Sequence, residues 1–202
     1  VRTVSPTVEC HYFPHSVDTD IFKKHPATAV AQFTKDSDIF GNLKEKTIFF
    51  WNNRNARRKQ SGTLIWWFKE FLDEVGHDKA MLLMHTDPKD PHGQDLEVIA
   101  THLNLTKGQL LFSRGKYPQE TLSMLYNMAD CTINIADAEG FGLATLESLA
   151  CETPVISNMT GGLQEQITDG ENWFGIGLEP ASKAIIGSQE VPWIYEDRLA
   201  KD

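Results

Sequence analysis

The chain has 202 residues, 41% hydrophobic and 23% charged, a balance that supports a packed core and excludes a disordered or fibrous chain. Its 28 acidic against 19 basic residues leave a formal net charge of -9, which argues against nucleic acid or an anionic membrane as the main partner, so a bound anion must be held by local donors. Cys10, Cys131 and Cys151 fit neither a disulfide framework nor a zinc site, the histidines form no metal-binding pair, and no apolar stretch approaches the roughly 20 residues that span a bilayer. A cytoplasmic protein is expected, in solution or peripheral to a membrane, with no transmembrane segment and no bound metal. In chain order, residues 1–40 are polar and punctuated by Pro6, Pro14 and Pro26, and are expected to be an interdomain linker or N-terminal extension. The first residue, Val1, suggests a piece of a longer protein.

From residue 41 to 202 a single Rossmann-like α/β domain is expected. Apolar runs at 47–51, 80–84, 109–112, 131–135 and 154–157 predict five strands covered on both faces. Between the first two, Leu64, Trp67, Phe68, Phe71, Leu72 and Val75 recur at helical spacing and stop at Gly76. Leu96, Ile99, Ala100 and Leu103 repeat the pattern, as do Leu122, Leu125, Tyr126 and Ala129 after the starter Pro118. Strands alternating with helices predict a doubly wound parallel sheet. The tryptophans Trp51, Trp66, Trp67, Trp173 and Trp193 are expected to pack rather than to bind sugar.

The segment 136–156, ADAEGFGLATLESLACETPVI, runs from a strand end through a glycine loop into a helix and on to a strand. Ligands of open α/β sheets bind beyond the carboxyl ends of strands, where this loop must lie. Gly140 and Gly142 fit either a tight turn or a close approach of backbone to ligand. A helix starting near Gly142 offers free N–H groups to a phosphate, drawn from Gly140, Phe141, Gly142 and Leu143. Leu143, Leu146 and Ala150 form an apolar stripe, and Glu147 shares it, so its carboxylate is expected to face protein. It is either a helix-start acid or an acceptor for sugar hydroxyls. A second cluster, Arg54, Arg57, Arg58 and Lys59, suits a diphosphate, with a solvated charge run or a small nucleic-acid patch as the alternative.

Glu139 and Glu147, with seven residues between them, complete a signature: EGFGLATLESLACETPVI resembles that of the retaining glycosyltransferases of family 4, which have the two-Rossmann-domain GT-B fold. Arg54 and Lys59 match the Arg and Lys of that family's Gly-Arg-x4-Lys-Gly motif, whose glycines are Asn53 and Gln60 here. Residues 17–22, the strand end and loop 112–117, and the Gly161-Gly162-Leu163-Gln164-Glu165 turn are similar to further parts of the family pattern. The resemblance implies the C-terminal, donor-binding domain of a GT-B hexosyltransferase with the N-terminal, acceptor-binding domain absent. It places Glu139 at the transferred sugar as the catalytic carboxylate and Glu147 at the donor ribose. Arg54, Lys59 and the loop amides would hold the diphosphate, and Lys116 would lie near the nucleobase. A UDP-, GDP- or ADP-sugar donor, a sugar or lipid-linked acceptor and metal-independent transfer follow as expectations, with little activity in the isolated fragment. A non-catalytic nucleotide-binding module and a nucleotide-sugar epimerase are the alternatives, and the paired glutamates favour the transferase.

Overall fold

The computed structural model describes residues 5–37, 46–186 and 194–199. Five strands, β1 (Thr47–Asn52), β2 (Ala80–His85), β3 (Leu110–Ser113), β4 (Cys131–Asn134) and β5 (Val155–Asn158), coincide with the expected runs to within a residue or two, and β6 (Ile176–Leu178) adds an edge. All pair in parallel, in the order β3-β2-β1-β4-β5-β6. The chain therefore winds outward from β1 in one direction, returns, and winds outward from β4 in the other. This is the doubly wound sheet the alternating pattern implied, and its switch point lies between β1 and β4.

Strand periodicity divides the core. Phe49 and Trp51 join a cluster with Leu64, Ile65, Phe68 and Leu72 of helix α2 (Ser61–Val75) and Leu96 and Ala100 of α3 (Leu96–His102). Ile48 and Phe50 face the opposite layer, with Leu125, Tyr126 and Met128 of α4 (Gln119–Met128). Fully burying one such side chain contributes about 1.5–3 kcal/mol. Helix α2 ends where expected, at Gly76 with φ +111, and the Gly76 N–H donates to Leu72 O. Trp67 is half-buried against the α2 cluster, whereas Trp66 and Trp173 are exposed.

The expected linker does more than connect. Helix α1 (Ala27–Asp36) lies within it and packs on α4, and Phe22 is buried edge-on to the Tyr126 ring. Its polar composition conceals this, because α1 contributes only the half-buried Val30 and Phe33, too few to make a helical stripe. The boundary expected at residue 40 lies outside the described residues, as does Trp193. After β6 a hairpin of β7 (Ser182–Ile186) and β8 (Ile194–Arg198) forms a separate two-stranded sheet.

Candidate functional site

The carboxyl ends of the strands carry polar residues: Asn52, His85, Ser113, Asn134 and Asn158 close β1 to β5 in turn. Because β1 and β4 are neighbours at the switch point, the loops that follow them meet there. The β1 loop brings the basic cluster and the β4 loop brings Glu139. The backbone N–H of Asp137 donates to Arg58 O at 2.8 Å, tying the loops together.

Lys59 is 7% exposed and its ammonium donates to Glu139 and to Asn53 Oδ1, the latter at 2.6 Å. Burial pushes the Lys59 amine below its ordinary pKa, and the Glu139 carboxylate pulls it back up. Arg58 donates to Ala138 O at 2.6 Å and to Glu139 Oε2 at 3.4 Å. The structure thus brings Lys59 and Glu139 together, with Arg58 as the second cation. Arg54 goes elsewhere: it forms a two-pronged pair with Asp90 at 2.7 and 3.2 Å and lies 2.6 Å from His92 Nδ1. Arg54, expected beside Lys59 at a diphosphate, is thus held by a carboxylate of the β2–α3 loop. That partner is 36 residues away, so spacing within the cluster could not disclose it.

Gln60, standing where the family has glycine, takes the left-handed conformation with φ 56 and ψ 34. Its side chain offsets the strain by donating to Asp137 and accepting from Thr63 Oγ1 at 2.7 Å. The loop keeps its turn, held by side-chain bonds in place of backbone freedom.

The glycines divide their work. Gly142 precedes helix α5 (Leu143–Ala150) with φ +88, and a Cβ there would stand 2.4 Å from Leu163 Cδ2, so it serves the turn and the packing. A Cβ on Gly140 would meet nothing within 4 Å, so this glycine leaves open space. Gly161 and Gly162 lie against the loop from the other side, and the Gly162 N–H donates to Gly140 O at 3.2 Å. Gln166 of α6 (Leu163–Ile167) donates to Phe141 O at 2.5 Å. The Phe141 ring meets His15 edge-on, with centroids 5.1 Å apart.

Helix α5 departs from the expected stripe. Leu143 is exposed and Leu146 and Ala150 only half-buried, while Thr145 and Ser148 are buried against the sheet. Ser148 Oγ lies 2.7 Å from Thr132 Oγ1, and Thr145 Oγ1 accepts from Asn134 at 3.3 Å. Small hydroxyl side chains let the helix approach β4 closely while satisfying each other, an option that apolar periodicity does not register. Glu147 is half-buried nonetheless. Its Oε2 accepts from the Tyr126 hydroxyl at 2.6 Å, and burial raises its pKa above the ordinary value while this bond lowers it. Lys116 follows the positive-φ Gly115 in the exposed β3–α4 loop. Arg58, Tyr126 and Asn52 carry no site signal in the sequence, where Arg58 is one cation among four and Tyr126 part of an apolar stripe. Among the described residues no three His, Cys, Asp or Glu side chains could hold a metal, and no helix is long and apolar enough to cross a membrane.

The sequence model for Glycosyl transferases group 1 matches residues 32–185. A D-inositol 3-phosphate glycosyltransferase of Thermomonospora curvata is 36% identical over 94 residues, 46% of this chain and 21% of that protein. A GDP-mannose-dependent alpha-(1-6)-phosphatidylinositol monomannoside mannosyltransferase of Mycolicibacterium smegmatis is 28% identical over 82% of this chain and 42% of its own length. The chain thus spans less than half the length of either relative. Among solved structures, the sucrose-phosphate synthase of Thermosynechococcus elongatus superposes with a TM-score of 0.69 at 26% identity, over 90% of this chain and 42% of that one. The C-terminal domain of a group 1 glycosyl transferase of Francisella tularensis superposes at 0.61 and 23% identity, over 83% and 82% of the two chains. With the doubly wound sheet and the Glu139 and Glu147 loop at its switch point, these matches show that the chain belongs to the group 1 glycosyl transferases and has the fold of a GT-B C-terminal domain.

Proposed function

We propose that this domain binds a nucleoside diphosphate sugar, a UDP-, GDP- or ADP-sugar, for transfer with retention of configuration and without a metal ion. The observation that carries the reading is the meeting of Lys59, Arg58 and Glu139 at the glycine loop that opens α5. A buried ammonium near the start of a helix suits a diphosphate, and the carboxylate bonded to that ammonium suits the sugar attached to it. In the transfer, the bond between the anomeric carbon and the diphosphate oxygen breaks, and its electron pair leaves with the diphosphate. An acceptor hydroxyl oxygen bonds to that carbon on the same face, and its proton passes to the departing phosphate oxygen. Lys59 and the amides of residues 140–143 neutralise the leaving group, and Glu139 stabilises the positive charge developing on the sugar ring. Glu147 accepts from the ribose hydroxyls and Lys116 lies toward the base. Arg54 contributes to the diphosphate only as far as Asp90 releases it.

Calorimetry with UDP, GDP and ADP beside the corresponding nucleosides tests this. Lys59→Met should lower affinity for the preferred diphosphate by about tenfold or more, the worth of a charged hydrogen bond, and leave nucleoside binding unchanged. Arg54→Ala should cost less, because its exposed side chain works in solvent where a charge is worth less than the buried Lys59 ammonium. Equal diphosphate binding by Lys59→Met and the parent chain would overturn the reading.

A further inference from the structure

The Tyr126 side chain has no assigned role in the donor site, yet it is buried and held on every side. It is 1% exposed, on α4 beneath the C-terminal edge of the sheet. Its ring packs edge-on against Phe50 at 5.1 Å and Phe22 at 6.2 Å, and its backbone carbonyl accepts from Thr153 Oγ1 at 2.7 Å. The hydroxyl is the one polar atom of that side chain. It accepts from Asn52 Nδ2 at 2.8 Å and donates to Glu147 Oε2 at 2.6 Å. A phenol has a single proton to donate, and with the Asn52 amide occupying an acceptor site on the oxygen, that proton is directed to the carboxylate. The three residues stand on three separate elements, β1, α4 and α5.

We infer that Tyr126, held by Asn52, is a positioning residue for Glu147, binding one carboxylate oxygen so that the other is presented in a fixed direction to the donor nucleotide. This rests on the reading of Glu147 as the ribose acceptor. A half-buried carboxylate on an eight-residue helix has free rotamers to lose on binding, and a bond to a rigid ring removes that loss beforehand. The same bond opposes the effect of burial on Glu147, and so keeps the carboxylate charged to lower pH than burial alone allows.

The test is Tyr126→Phe, which keeps the packed ring and deletes only the hydroxyl. The ligands are UDP, GDP and ADP with their 2′,3′-dideoxy counterparts, titrated by calorimetry across pH. Three changes are expected: about a tenfold loss of affinity for the ribonucleotide that binds the parent chain, a smaller preference for ribo over dideoxy ligand, and an acid limb of binding moved to higher pH. Asn52→Ala should shift all three in the same direction by less, and it carries the test if Tyr126→Phe does not fold. Unchanged affinity, preference and pH limb in Tyr126→Phe, even with a lowered melting temperature, would make Tyr126 a packing residue and overturn the inference. Glu147→Ala separates the two levels. If it loses the ribo preference while Tyr126→Phe keeps it, only the positioning role fails, and if Glu147→Ala also keeps it, the ribose reading itself fails.

Discussion

Glu147 shows how a single half-buried carboxylate carries a pH-dependent cost to stability. Its pKa in the folded chain lies above the ordinary 4.5, chiefly through burial, so the folded state holds its proton more tightly than the unfolded state does. Stability therefore falls as pH rises through the window from the ordinary glutamate value up to the raised one, and the loss persists above it. Glu147→Gln removes that loss and can still accept the Tyr126 hydrogen bond. It should melt higher than the parent at pH 7, with the difference vanishing below the ordinary glutamate pKa, and it should bind nucleoside diphosphate more weakly. A lower melting temperature at pH 7 would mean that the carboxylate is a net stabiliser. The polar α5 residues Thr145 and Ser148 teach the converse point: they are buried because each finds a hydroxyl or amide on β4, not because they are apolar.

Among the elements, the loop between β4 and α5 is held from three directions: by the basic turn after β1, by Gly161 and Gly162, and by Gln166. Gly140 and Gly142 look alike in the sequence and differ in this setting. Alanine at 142 must adopt φ +88 and meets Leu163, so Gly142→Ala should destabilise the fold by at least about 1–2 kcal/mol in urea unfolding. Alanine at 140 meets nothing, so Gly140→Ala should leave stability within about 0.5 kcal/mol. It should still weaken diphosphate binding, because its methyl group fills the space through which a ligand reaches the amides. Equal unfolding midpoints for the two variants would contradict this division.

At the scale of the whole molecule, the described residues contain one doubly wound sheet. If a second Rossmann-like domain closes over the donor in the active protein, the isolated chain leaves the sugar exposed to water and the acceptor unheld, losing orientation as well as water exclusion. The chain alone should bind donor and turn it over slowly, while a version preceded by the upstream domain of a group 1 relative should transfer sugar at least about a hundredfold faster, the scale of a lost positioning effect. Equal turnover by the two would identify a self-sufficient single-domain enzyme.

Strands β1 to β5, the α2 helix with its stop at Gly76, and the glycine loop before α5 were determined by the sequence alone, because period, glycine placement and apolar runs are local properties, whereas the short edge strand β6 and the β7–β8 pair left no such run. The residues 17–36 hid their packing because a helix that lends two half-buried side chains to the core leaves no periodic trace. What only the tertiary structure decided was partnership. Lys59 rather than Arg54 meets Glu139, Asp90 holds Arg54, and Tyr126 reaches Glu147, since each pair joins segments 21 to 80 residues apart. Lys59 meets Glu139 because the winding reverses between β1 and β4 and draws their loops together, Arg54 meets Asp90 because β1 and β2 are neighbours, and such adjacency belongs to the strand order rather than to any stretch of the chain.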